Sequence, residues 1–340
     1  MKHLIKRALL MLLGLAMVLC CFGCTLAGDG RTIIRVAHSQ SETHPDHLGL
    51  LAFESYIEER LGDKYDVQIF PNELLGSSVK AIELVQTGAI DFAVASTANL
   101  ETFDNVYEIF SMPYLFKSPE SYHTVMENEQ LMNGIYQSTE AAGFETVAWF
   151  TAGTRNFYAS KPIKSPDDLK GKKIRVQQSP ANVRMMEFFG AAAAPMSFGE
   201  VYTALQQNVI DGAENNELAL TNNKHGEVAR YYTYNQHQMV PDMLIANLRF
   251  LEDLTPEERA IFNEAAQKST EVEIEEWNKQ VDEAVKTAEQ MGVEFIYPDI
   301  EPFREKVLPL HEELLNKNPK LRPIYNAIQK IEQDMEQEGQ

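Results

Sequence analysis

Asp167-Asp168-Leu169-Lys170-Gly171-Lys172-Lys173-Ile174-Arg175-Val176 reads as a capped turn running directly into a strand. Ser165, Pro166 and Asp168 fit the N-cap, N1 and N3 positions of one short helical turn, and Gly171 fits its left-handed exit. Lys172 to Val176 is then extended. Alternation places Ile174 and Val176 on one face and Arg175 on the other, so the charge does not follow its neighbours into a core. A guanidinium fixed on a short, capped strand is a rigid fork suited to one carboxylate. A surface arginine in an ordinary ion pair is the competing reading, and this segment alone leaves both open.

Outward from that strand, the amino terminus is a leader. Met1 to Gly23 opens with Lys2, Lys6 and Arg7 and continues as an apolar run from Ala8 to Phe22, a secretory signal pattern too short to span a membrane. It closes on Cys21-Phe22-Gly23-Cys24, which resembles a bacterial lipoprotein cleavage site with Cys24 as the lipidated residue. Cleavage after Ala27 is the alternative. All three cysteines (Cys20, Cys21, Cys24) lie in this leader. The exported body therefore has no disulfide, no Cys-ligated metal and no cysteine nucleophile. At about 310 residues it is long enough for two domains. Without the leader's three basic residues it carries 27 basic against 50 acidic side chains, a net charge of −23. Such a chain repels nucleic acid and anionic membrane surfaces, so any anion it binds must be held by a few local cations.

In chain order, strands are expected at Thr32–His38 and Tyr65–Phe70 and helices at His47–Leu61 and Val79–Thr87, a β-α-β-α order that predicts a parallel α/β lobe. Ligands of such sheets sit off the carboxyl ends of the strands, which points to the loops bearing His38, Gln40, Glu73 and Ser96. Gln86-Thr87-Gly88-Ala89-Ile90-Asp91 and Gln206-Gln207-Asn208-Val209-Ile210-Asp211 align without a gap. Each reads as a helix end, a left-handed residue and a strand start, as two lobes of similar design would produce.

Extended segments at Glu145–Phe150 and Asn156–Ser160 flank a break containing Gly153, where the chain can cross between lobes and flex. The second lobe runs through the Arg175 strand, helices over Ala181–Phe189 and Phe198–Gln207 with a small-residue corner from Gly190 to Pro195 between them, and a strand over Ile210–Glu214. An extended run from Tyr231 to Phe250 returns to the first lobe. Thr255-Pro256-Glu257-Glu258 is a complete helix start, and nothing breaks the helix before Gly292. That predicts about 36 residues and near 54 Å, enough to span both lobes. A strand (Glu294–Tyr297) and two short helices follow. The expected division is 30–152 plus 241–275 for the first lobe and 153–240 plus 276–334 for the second.

No phosphate-binding loop, dinucleotide fingerprint, nucleophile elbow or zinc-protease motif occurs. His44 and His47 form the one i, i+3 histidine pair at a helix start, better read as a solvated cap than as a metal site. The Glu271–Glu276 run reads as a solvated helix face. Neither a cofactor nor a metal is expected.

Gly153-Thr154-Arg155, the segment Asp168 to Val176, Phe198-Gly199-Glu200-Val201-Tyr202-Thr203-Ala204-Leu205-Gln206 and Asp211-Gly212-Ala213-Glu214-Asn215 together resemble the signature of the DctP-type solute receptors of TRAP (tripartite ATP-independent periplasmic) transporters. Phe70-Pro71-Asn72-Glu73-Leu74-Leu75-Gly76 resembles that family's first-lobe loop, so the resemblance covers essentially the whole exported body. It implies a two-lobed α/β receptor of the periplasmic-binding-protein type with a long helix along its back, closing on an organic anion and delivering it to a membrane permease. It also implies that Arg175 pairs with the ligand carboxylate and that Arg155, Phe198 and Asn215 line the site. Asn216 departs from the pattern, standing where many members carry proline.

A periplasmic, monomeric receptor of a Gram-negative bacterium is expected, touching the membrane only through a lipid on Cys24. An exported uronate lyase or isomerase and a ligand sensor are the competing functions, and the absence of a nucleophile or metal set disfavours the enzyme. For the ligand, Glu73, Asn215, Asn216, Gln40, Ser96 and His38 offer acceptors and neutral donors suited to hydroxyl groups. Glu73 would repel a second carboxylate. The reading is a sugar acid, with a C4-dicarboxylate kept open by Arg155.

Overall fold

One hydrogen-bonding device occurs twice and frames each half of the molecule. After the helix Ser78–Thr87 the chain turns through Gly88 (φ 73°), and the Asp91 carboxylate accepts from the Arg35 N–H at 2.8 Å while Asp91 N–H donates to the Arg35 carbonyl. After the helix Val201–Gln206 it turns through Asn208 (φ 54°), and Asp211 makes the same pair with Lys173 at 2.7 Å. The six-residue echo is thus a shared junction that ties a new strand to an older one. Both strands begin just after the aspartate, not at Ile90 or Ile210.

The structure is a computed structural model describing residues 30–338. The leader, its three cysteines and both expected cleavage points lie outside the described residues. The first sheet contains β1 (Thr32–Ala37), β2 (Tyr65–Phe70), β3 (Phe92–Ser96), β4 (Phe144–Phe150) and β10 (Asp242–Asn247), in the order β2-β1-β3-β10-β4. The second contains β5 (Arg155–Ala159), β6 (Lys173–Val176), β7 (Ala192–Pro195), β8 (Gly212–Asn215), β9 (Tyr231–Gln238) and β11 (Glu294–Ile296), in the order β11-β9-β5-β8-β6-β7. β1, β2 and β3 are parallel as expected, but β10 runs antiparallel to both its neighbours, so the first sheet is mixed. The returning strand enters from the second sheet and can insert only in that sense. β7 lies in the corner read as irregular, because four small residues pair with β6 as an edge strand.

The chain passes between the sheets at residues 151–154 and again at 239–241. Gly153 has φ 58°, and a Cβ there would stand 2.5 Å from the Trp277 ring, so the crossing needs glycine twice over. Trp277 belongs to the long helix Pro256–Gln290, 35 residues capped by Thr255 and Glu258. That helix packs on the helix Pro45–Leu61, on β4 and on the short helix Leu218–Thr221, and so touches both lobes.

Three sequence expectations change. Tyr231–Phe250 is two strands and the start of a helix, since the Asn247 side chain accepts from Phe250 N–H and caps Leu248–Asp253. The helices Thr97–Leu100, Pro119–Met126 and Glu129–Tyr136 fall in a region given no elements. The tail holds three helices, not two: prolines start the first two turns, and the last, Leu321–Glu338, is 18 residues long. That last helix packs on the first-lobe helix Pro119–Met126, whereas residues 276–334 were expected to belong to the second lobe. Buried Leu321 and Ile328 join an apolar cluster with Tyr122 and Val125, which accounts for its position.

Candidate ligand-binding site

The carboxyl ends of β1 and β3 face the segments that follow β6 and β8, and between them lies a cavity. The first lobe contributes Ser39, Gln40, Asp46, Glu73, Ser96 and Asp242, and the second Arg155, Arg175, Met196, Phe198, Asn215 and Asn216. It has the mixed polar lining of a small-molecule site.

Arg175 reaches it as its strand dictates. Ser165 and Asp168 cap the turn Pro166–Leu169, with Asp168 accepting from Ser165 N–H at 2.9 Å, and Gly171 exits at φ 73°. Ile174 and Val176 are fully buried in the core, while Arg175, only 3% exposed, points to the cavity. Its Nε and Nη2 donate to the Met196 carbonyl at 3.2 and 2.9 Å, and its guanidinium lies 5.7 Å from the Phe198 ring centre. No carboxylate forms an ion pair with it among the described residues. Burial pushes this guanidinium down, opposed mainly by the more distant charge of Glu214.

Arg155 is equally buried but committed. It donates from Nη2 to Glu214 Oε1 at 2.9 Å and to the Glu214 carbonyl at 2.8 Å, from Nε to Glu214 Oε2, and from Nη1 to Asn215 Oδ1 at 2.9 Å. Burial would raise the Glu214 carboxyl, yet Arg155 and His237, whose Nε2 lies 3.5 Å away, hold it down at about 2. Glu214 is thus the neutralising partner of Arg155. Glu214 had no expected role, although it stands inside the quoted motif.

Glu73 crosses the cleft. Asn72 and Glu73 both have positive φ (56° and 55°), a strained pair held by N–H bonds from Asn72 to the Gln40 carbonyl and from Glu73 to the His38 carbonyl. Its carboxylate lies against the N–H groups of Phe198 and Gly199. A Cβ on Gly199 would come within 2.7 Å of Glu73 Oε2, so glycine permits that approach. Burial raises the Glu73 carboxyl, partly offset by those N–H groups and by Arg175.

Of the residues expected at the site, Arg175, Arg155, Phe198, Asn215, Glu73, Gln40 and Ser96 line one cavity. His38 does not. Its Nε2 contacts His47 Nδ1 at 3.0 Å and its Nδ1 accepts from Gln40 N–H at 3.3 Å, so both ring nitrogens serve the loop. Burial keeps this ring neutral, with its pKa lowered to about 3. Asn216 lines the cavity but is used locally: Nδ2 donates to the Ala152 carbonyl at 3.0 Å and Oδ1 accepts from Leu218 N–H at 3.1 Å.

Sequence reasoning missed an acidic group at the crossing. Glu273, in the run read as solvated surface, is fully buried and accepts from Thr151 N–H at 2.9 Å. It is a Coulombic neighbour of Asp46 and Asp242. His44 is a buried cap accepting from Asp46 N–H at 3.2 Å, not the solvated one expected, and no cluster able to hold a metal ion occurs among the described residues. A register count on the long helix would have flagged Glu273, since it shares a face with the buried Phe262, Ala266 and Ser269.

The profile of the bacterial extracellular solute-binding proteins, family 7 (DctP), matches residues 36–318. The chain belongs to this family. A TRAP periplasmic solute-binding protein from Anaerococcus prevotii, solved with bound α/β-D-glucuronate, superposes with a TM-score of 0.89 at 57% identity, covering 89% of this chain and 99% of that one. Another from Sulfitobacter sp. NAS-14.1, with bound β-D-galacturonate, gives 0.85 at 31% identity over 88% and 100% of the two chains. The uncharacterized protein YiiZ of Salmonella typhimurium is 44% identical over 303 residues, 88% of this chain and 92% of its own. The DctP-type TRAP receptor is thus a two-lobed solute-binding protein, and no helix among its described residues is long and apolar enough to cross a membrane.

Proposed function

We propose that this receptor binds a hexuronate or a closely related sugar acid in the interlobe cavity, with Arg175 on its carboxylate, and hands it unchanged to a two-part TRAP permease. One observation carries the reading: the cavity holds two buried arginines but only one unneutralised cation, because Glu214 takes Arg155. A monocarboxylate meets that single charge, whereas a dicarboxylate needs a second cation and meets Glu73 and Asp46 instead. Neutral donors and acceptors on Gln40, Ser96 and Asn215 complement hydroxyl groups. The glucuronate and galacturonate bound by two structural relatives support the same class. Arg155, Asn215, Phe198 and Glu73 act here as the frame that fixes Arg175 and the ligand ring. Cys24 is the proposed point of lipid anchoring, and the two crossings near Gly153 and Val240 are the proposed hinges.

A thermal-shift panel of glucuronate, galacturonate, gluconate, malate and succinate tests this. A ligand that binds only the folded state adds about 2.7 kcal/mol at a hundredfold excess over Kd. Sugar acids are expected to raise Tm, and a shift with malate or succinate but none with the sugar acids would overturn the assignment.

A further inference from the structure

At the hinge end of the cavity, Asp46 is 1% exposed, and neither of its carboxyl oxygens has a hydrogen-bond donor. Its nearest polar neighbour cannot supply one, because His44 Nδ1, 3.2 Å from Asp46 Oδ1, already accepts from Asp46 N–H. Ser96, 7% exposed, lines the same wall with its hydroxyl beside the Asp242 carboxyl. Asp242 completes the wall, beside Ser96 in register across β3 and β10. Buried acceptors without donors are costly. Here they border the space where a ligand's donors would lie.

The charges around the wall are uneven. Asp242 has Asp46 and Arg155 as its charged neighbours, Glu273 stands behind both acids, and Arg155 is already held by Glu214. Arg175 has Glu214, Arg155 and Glu73 as its own. The cavity thus offers a cation on the second-lobe side and acidic side chains on the hinge side.

We propose that Asp46, Asp242 and Ser96 form a hydroxyl-reading subsite that takes the donors at the end of the sugar remote from its carboxylate and excludes a second carboxylate there. The inference rests on the sugar-acid reading above and assigns specificity to residues on the hinge. Ligand hydroxyls donate to the Asp46 carboxylate, and a diacid of the same skeleton brings only further acceptors and negative charge against it.

Titration calorimetry on the full exported chain, with glucuronate and its diacid counterpart glucarate, tests this. Wild type is expected to prefer glucuronate by at least about a hundredfold. Asp46→Asn, which replaces an acceptor oxygen with a donor, is expected to shrink that ratio at least about tenfold. Should that variant misfold, Ser96→Ala provides the milder probe: glucuronate is expected to weaken about three- to tenfold while tetrahydropyran-2-carboxylate, the same ring without hydroxyls, stays within twofold. A wild type that binds no sugar acid overturns the functional reading and the subsite with it. Tight glucuronate binding with a folded Asp46→Asn variant whose ratio stays within twofold of wild type, or a Ser96→Ala loss equal for both ring acids, overturns the subsite alone.

Discussion

Arg155 and Arg175 are the same residue type, each about 97% buried in one cavity, and they do opposite work. Arg155 begins β5 at the crossing, and its guanidinium is consumed by Glu214 and Asn215. Arg175 sits inside β6 and donates only to a backbone carbonyl. The difference lies in the partner, not in the arginine or its burial. A buried guanidinium with a bidentate carboxylate is a structural element whose loss strands a charge. One resting on a carbonyl oxygen and an aromatic ring is a charge held ready for an anion.

The comparison breaks most clearly in affinity. Arg175→Ala removes a charge-assisted contact from a closed cleft, at about 2–5 kcal/mol, so sugar-acid binding is expected to weaken roughly 30- to several-thousand-fold. Calorimetry showing less than a tenfold loss in a folded variant would take Arg175 off the carboxylate. Arg155→Ala is expected to act on the fold instead. It leaves Glu214 buried without its cation, an effect of about 3–5 kcal/mol in unfolding experiments. If the two variants cost equal stability, the division of labour between the arginines is wrong.

Next in size is Glu214→Gln, which keeps the shape but frees the Arg155 charge toward the cavity. Affinity for a dicarboxylate such as malate is expected to rise about tenfold, the reverse of any simple loss of structure. Malate affinity unchanged in calorimetry would mean that Arg155 is withheld from the ligand by geometry and not by charge.

Why the two arginines could not be told apart in the sequence follows from what each depends on. The direction of Arg175 was legible because a cap, a left-handed glycine and strand alternation are local rules, and all three act within residues 165–176. The junctions at Asp91 and Asp211 were legible for the same reason. The commitment of Arg155 depends on Glu214, 59 positions away, and the burial of Glu273 on a backbone N–H 122 positions away. Neither pairing leaves a periodic trace. His38 was misplaced because its loop does lie at the carboxyl end of β1, but the side chain turns toward His47 in the next helix. The helices between 97 and 136 were missed because they are only four to eight residues long, too short for a helical period to repeat clearly.

The same contrast predicts opposite responses to pH. Glu214 is held at about 2, below the ordinary 4.5, so its contribution to stability is present above that ordinary value and is lost as pH falls toward 2. Asp242 is pushed to about 8, mainly by burial and then by Asp46. Its proton is bound more tightly in the native state, so its contribution is fullest below 3.8 and is lost as pH rises toward 8. Without ligand, the wild-type Tm is therefore expected to fall relative to Asp242→Asn between pH 5 and 8, by about 2 °C or more. Parallel Tm profiles for the two proteins across that range would refute the role of Asp242.

Glu101 gives the finest comparison, a buried carboxylate that meets a helix start where Glu214 meets a guanidinium. From the first lobe its Oε1 accepts at 3.1 Å from Ala181 N–H, at the amino end of the second-lobe helix Pro180–Phe189. Burial raises it to about 7, opposed by Ser179, Ala181 and Ser111, so near neutrality a proton is shared between its bound and free forms. A glutamine keeps the accepting oxygen and resembles the protonated form, so Glu101→Gln is expected to change ligand affinity by no more than about twofold at pH 7. Glu101→Ala removes the acceptor, leaves the Ala181 N–H buried, and is expected to weaken binding about tenfold by opening the cleft. Deprotonation strengthens the acceptor facing a helix amino end. Wild-type affinity is therefore expected to improve modestly from pH 6 to 8, while the glutamine variant stays flat. Calorimetry across those pH values reads both slopes, and equal slopes would show that the contact between the lobes at Glu101 is indifferent to its charge.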